Sequence, residues 1–132
     1  MAPVPLARHL LRVRDLIDRS YAEELDIAAL ARSASVSPQH FQRSFKRAFG
    51  ETPHRYLMTR RLERAKALLR AGDLSVTEVC HAVGFTSLGS FSSQFRRFVG
   101  ESPSTYRGRA RHADMLARIP SCFVRDWTRP TG

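Results

Sequence analysis

Gln39, His40, Gln42 and Arg43 fall within five consecutive positions and carry the densest hydrogen-bonding chemistry in the chain. A Gln amide can donate to and accept from adenine at once, and an Arg guanidinium can donate twice to one edge of guanine. Lys46 and Arg47, a turn further along, suit phosphate oxygens, for which charge matters more than shape. Fifty residues later the corresponding stretch holds Ser87, Leu88, Gly89, Ser90, Ser92, Ser93, Gln94, Arg96 and Arg97. Small hydroxyls and a leucine can meet phosphates or a thymine methyl but lack the reach for bidentate base reading. The first set therefore suits direct readout, and the second suits backbone contact and DNA shape.

Such residues work only if something turns them outward together. Phe41, Phe45 and Phe49 recur every four residues, which puts them on one inward helical face and leaves the polar set outside. Phe91, Phe95 and Val99 do the same for the second set. Ser37 is placed to cap the first of these helices, with Pro38 at the favoured first position and Gly50 at the end. Ahead of it, Asp26 caps a short helix reaching about Ala34. In the second copy Ser75 caps a short helix ending near Gly84 and Phe85, and Ser87 starts a helix closed by Gly100. Ile27, Leu30 and Ala34 match Val76, Val79 and Val83 at an offset of 49, whereas Phe41, Phe45, Gly50, Pro53 and Tyr56 match their counterparts at 50. One extra residue therefore sits in the second turn, and each copy reads as a helix-turn-helix.

The remaining elements support the pair. Leu6, Leu10, Leu11, Val13, Leu16 and Ile17 predict a first helix bounded by Pro5 and by Glu23 and Glu24. Thr52 and Pro53 open a long helix to about Ala71, whose length of roughly 27 Å is close to the separation of successive major grooves on one face of DNA. Ser102 and Pro103 begin a last short helix through about Arg107. The expected fold is all-α, with about seven helices in two helix-turn-helix subdomains joined by a long linker helix. Its divisions are a supporting helix (1–21), the first helix-turn-helix (22–51), the linker (52–72), the second helix-turn-helix with the final short helix (73–108) and a basic, apolar tail (109–132). Within that tail, Ile119 to Trp127 is apolar and β-prone but too short for a sheet of its own.

Charge points the same way. The net charge is +10, with 22 Lys and Arg, which favours a polyanionic partner. Residues 1–38 hold five Arg against five acids, 39–70 nine bases against two acids, 71–93 two acids alone, and 94–132 eight bases against three acids. The excess begins where each copy's second helix begins. Cys80 and Cys122 lack zinc-ligand spacing, and Cys80 shares a helical stripe with Val76, Val79 and Val83, so a small core residue is expected and a disulfide is not.

Several runs together carry a family resemblance: Ile27-Ala28-Ala29-Leu30-Ala31, Ser37 through Lys46, Gly50-Glu51-Thr52-Pro53, Tyr56-Leu57 and Arg61 through Leu69. In the second half they are Val79, Ala82, Val83, Gly84-Phe85, Ser90-Phe91, Phe95-Arg96-Arg97, Gly100 and Ser102 through Arg107. Over roughly residues 9–108 the chain resembles the AraC/XylS DNA-binding domain. The resemblance implies two helices inserted into adjacent major grooves on one face of a promoter. It implies base contacts from Gln39, Gln42 and Arg43, and around Leu88, Gly89, Ser90, Ser92 and Ser93; His40, outward on the same helix, is expected to join the first set. Expected phosphate contacts are Ser37, Lys46, Arg47, Thr86, Ser87, Gln94, Arg96 and Arg97. The chain departs from members that carry longer polar residues, Gln and Arg among them, at the second-lobe positions. With about eight residues ahead of the matched region, it resembles the stand-alone type, controlled by abundance rather than by an effector.

The expected function is a sequence-specific transcription regulator, an activator by family analogy, bound as a monomer to an asymmetric site on double-stranded DNA. RNA polymerase is a further candidate partner, and dimerisation through Phe123 to Trp127 stays open. The alternative is a nonspecific or architectural nucleic-acid-binding protein that uses charge alone. No enzyme is expected: His9, His40, His54, His81 and His112 lie far apart in sequence, and no nucleophile, phosphate-loop or paired-carboxylate motif is present. No metal, cofactor or membrane association is expected, and the location expected is the cytoplasm, at the nucleoid.

Overall fold

The computed structural model describes residues 5–118 and contains seven α-helices and, among the described residues, no strand. In chain order they are α1 (Leu6–Ser20), α2 (Ile27–Ser33), α3 (Pro38–Phe49), α4 (Pro53–Ala71), α5 (Val76–Ala82), α6 (Leu88–Val99) and α7 (Pro103–Arg118). Local chemistry fixes the starts. The side chains of Asp26, Ser37, Thr52, Ser75 and Ser87 each accept a hydrogen bond from the backbone N–H three residues on. At α5 the cap is reciprocal, because Glu78 returns a bond to the Ser75 N–H at 3.0 Å. That bond, with the Ser75 hydroxyl, holds the Glu78 carboxyl below its ordinary pKa.

One boundary differs from expectation. The last helix continues past Arg107 to Arg118, so residues 109–118 are helical rather than part of a tail. Gly108 lies within it, a residue that weakens a helix interior by about 1 kcal/mol relative to Ala. Tertiary anchors outweigh that local cost. Arg107 donates to the Leu74 carbonyl, Arg111 donates to the Gly72 carbonyl at 3.0 Å, and Arg109 pairs with Glu101 at 2.6 Å. The expectation for Phe123 to Trp127 falls outside the described residues.

Two apolar cores flank α4. The first gathers Leu10, Val13 and Ile17 of α1 with Ala31, Phe41, Phe45 and Leu57. The second gathers Leu62, Ala65 and Leu69 with Val79, Cys80, Val83, Phe85, Phe91, Phe95 and Tyr106. The start of α4 thus serves one lobe and its later turns serve the other, with Met58 packed against both. The repeat survives in ring geometry. Phe45 meets Tyr56 edge-on at 5.8 Å, and fifty residues later Phe95 meets Tyr106 at 5.6 Å. Tyr56 also ties α4 to α1 by donating to Asp18 Oδ1 at 2.8 Å. Partial burial, followed by this contact, raises its pKa to about 12.

Cys80 is fully buried, as its stripe predicts, and its thiol faces the Phe85 carbonyl at 3.8 Å. Burial pushes the thiol pKa up, which disfavours the reactive thiolate. Cys80 is therefore expected to resist a thiol-reactive probe in native protein and to label fully in denaturant. Peptide mapping after a timed pulse measures this, and rapid native labelling at Cys80 would contradict the packing.

Candidate nucleic-acid interface

Each helix-turn-helix is set by its turn. Residues 34–37 join α2 to α3, whereas residues 83–87 join α5 to α6, so the extra residue lies in the second turn as the offset implied. With Phe41 and Phe45 of α3 and Phe91 and Phe95 of α6 fully buried, the two helices must show their opposite sides to solvent.

On α3 the expected residues Gln39, His40, Gln42, Arg43, Lys46 and Arg47 are all exposed. Among the described residues, the side chains of Gln39, Gln42, Arg43, Lys46 and Arg47 make no hydrogen bond or ion pair within the chain. Other basic residues are committed internally: Arg19, Arg32, Arg55, Arg60 and Arg109 to carboxylates, and Arg61, Arg107 and Arg111 to backbone carbonyls. An exposed, uncommitted row can exchange water for base edges without breaking any contact of the fold. Ser37 Oγ accepts from the His40 N–H at 3.1 Å, which leaves its hydroxyl proton free to donate to a phosphate. Ser87 holds the same position on α6, accepting from the Ser90 N–H at 3.2 Å.

The α6 set is less uniform than expected. Thr86, Ser87, Leu88, Gly89, Ser90, Ser93, Arg96 and Arg97 are exposed, but Ser92 and Gln94 are half-buried. At 100° per residue these two stand on opposite flanks of α6, beside the Phe91 and Phe95 face. Gln42, the counterpart of Ser92, has the same angular position yet is exposed, because its longer side chain reaches past the flank.

Between the lobes the structure gathers residues that the sequence reading left apart. A groove of about 750 Å³ is lined from α3 and the start of α4 by Lys46, Thr52, His54, Arg55 and Met58. From α6 it is lined by Ser90, Ser93, Gln94, Arg97 and Phe98. Three exposed cations and the N-terminus of a 19-residue helix converge there, an arrangement suited to anionic oxygens. The place of Thr52 and Arg55 in this groove is not legible in sequence, because their signal, a cap before a proline, reports a helix start and not what lies across from it.

A family model described as "Helix-turn-helix domain" matches residues 30–109, from within α2 into α7. Solved structures share the arrangement. A probable AraC family transcriptional regulator from Rhodopseudomonas palustris superposes with a TM-score of 0.68 at 28% identity, covering 79% of this chain and 98% of the other. The chain belongs to the AraC family of DNA-binding transcription regulators. An AraC-type relative bound to DNA is also similar. The DNA-binding domain of AdpA, in complex with a target DNA, gives a TM-score of 0.68 at 34% identity over 83% of this chain and 95% of that domain. Among curated relatives, the HTH-type transcriptional activator RhaS of Salmonella schwarzengrund is 40% identical over 91 residues, which is 69% of this chain and 33% of the relative. The chain spans about a third of the length of the curated relatives it matches. No described helix of this AraC-family chain is long and apolar enough to cross a membrane.

Proposed function

We propose that the chain is a sequence-specific activator that reads an asymmetric promoter site of about two helical turns as a monomer. The observation that carries this reading is the inequality of the two exposed helices. The first offers Gln39, Gln42 and Arg43 for bidentate base contacts, and the second offers small hydroxyls with Arg96 and Arg97. Two unequal readers on one polypeptide match a site with two unequal elements, without a second protomer. The inter-lobe groove takes the phosphate backbone between the two major grooves, with Lys46, His54, Arg55 and Arg97 supplying donors. Activation is proposed from the RhaS relatives, which are described as activators. Contact with RNA polymerase and a place at the nucleoid in the cytoplasm follow from that role.

Selection of sites from random duplex DNA, at near-physiological salt, tests the reading. The expected result is a motif with a sharp element and a weaker one about a turn apart. If folded protein enriches no motif and its binding only weakens steeply with salt, charge alone governs binding and the chain is architectural.

A further inference from the structure

Arg61, on α4 at the boundary between the two cores, is 8% exposed and, among the described residues, has no carboxylate partner. Its Nε donates to the Tyr21 carbonyl at 2.6 Å and its Nη2 to the Glu23 carbonyl at 2.9 Å. Those carbonyls belong to the segment between α1 and α2, in the first lobe. The same guanidinium lies 5.9 Å from the centre of the Phe85 ring, in the turn of the second helix-turn-helix. Next to Phe85, Gly84 adopts φ +98°, and a Cβ there would stand 2.9 Å from the Ala22 carbonyl oxygen and 3.0 Å from Arg61 Nε. The turn is held in this place from its own side too, because the Phe85 carbonyl accepts from His81 Nδ1 at 3.1 Å.

The first lobe's loop, one side chain of the linker and the longer second turn therefore meet at one point. An open cleft of about 620 Å³ lies beside this point, with Arg61, Gly84 and Phe85 in its wall, and separates Leu25 and Ile27 of the first lobe from His81 and Thr86 of the second. Beyond the shared helix α4 and its Met58, which packs against both cores, the guanidinium and the glycine contact are what the structure sets against rocking of one lobe relative to the other.

We infer that Arg61 is a positioning residue that fixes the two recognition helices relative to each other and so sets the spacing accepted between the two elements of the DNA site. Adding one base pair moves the second element by about 3.4 Å and about a tenth of a turn. A pair of lobes locked at Arg61 cannot follow both changes, whereas unlocked lobes can. This inference rests on the two-lobe reading proposed above.

The test measures affinity, by fluorescence anisotropy, for the selected site, for versions with one base pair added or removed between its elements, and for a duplex with the second element scrambled. The full chain is compared with Arg61→Met, which keeps the aliphatic length but removes the donors, and with Arg61→Lys. Wild type is expected to lose at least about tenfold on either respaced site. Arg61→Met is expected to discriminate spacing only about threefold while binding the scrambled-element duplex like wild type. Arg61→Lys should recover part of the discrimination. A folded Arg61→Met protein that keeps the wild-type spacing ratio overturns the inference alone. A wild-type protein indifferent to both spacing and the second element overturns the two-lobe reading and the inference with it. Should Arg61→Met fail to fold, Phe85→Leu, which removes the ring beneath the guanidinium, carries the same comparison, and an unchanged ratio there again overturns the inference.

Discussion

Phe95→Ala is expected to lower stability by about 3–5 kcal/mol. The ring is fully buried, lies 5.7 Å from Phe91 and 5.6 Å from Tyr106, and packs in a core that also contains Leu62, Ala65 and Leu69 of α4. Its removal leaves a cavity that helices α5, α6 and α7 cannot close without shifting. A small domain with a total stability of about 5–15 kcal/mol has little to spare against such a loss. The thermal midpoint should fall by about 10 °C or more, as followed by circular dichroism. Because the first core is built from different residues, hydrogen exchange should lose protection in 76–118 well before 27–49. Equal loss in both lobes would show that α4 makes the two cores one cooperative unit. Phe45→Ala should reverse the pattern.

The stability argument and the sequence reading share a source, the spacing of these aromatics. Phe41 and Phe45, repeated as Phe91 and Phe95, declare both the inward face and the duplication, so the helices could be placed before any coordinates. Serine, threonine and aspartate caps before proline or an apolar run then fix the starts, and the observed bounds of α3, α4 and α6 coincide with them. Legibility failed where a distant contact overrides a local signal. The sequence places the end of the last helix near Arg107, but Arg107 and Arg111 reach carbonyls more than thirty positions away and carry α7 onward. Ser92 and Gln94 looked as exposed as their neighbours because a serine-rich run has little amphipathic contrast on its flanks. Arg61 is the clearest case. In sequence it is one of many arginines, and only the fold shows that it is buried against two carbonyls. The same holds for the inter-lobe groove, whose walls are separated by about forty residues along the chain.

Replacing Gln42 and Arg43 together by alanine is expected to abolish discrimination at the first element of the site while leaving the fold intact. Both are exposed, and among the described residues neither side chain makes a hydrogen bond or ion pair, so the stability change should stay within about 0.5 kcal/mol. A good bidentate base contact is worth about 1–3 kcal/mol of discrimination, which corresponds to roughly 5- to 150-fold in affinity at each lost contact. Lys46→Ala serves as the contrast, since a phosphate contact weakens every sequence alike and lowers the salt slope by about one. Measuring both variants across salt, on the selected site and on versions mutated in either element, separates the two roles. If the double variant weakens all duplexes equally, Gln42 and Arg43 act as charge and spacing alone, and the base-reading assignment of α3 fails. Ser93→Ala completes the comparison. Its hydroxyl lacks bidentate reach, so less than about threefold is expected on any sequence. A larger, base-specific loss there would place direct readout in the second lobe as well, and the two helices would then differ in chemistry but not in role.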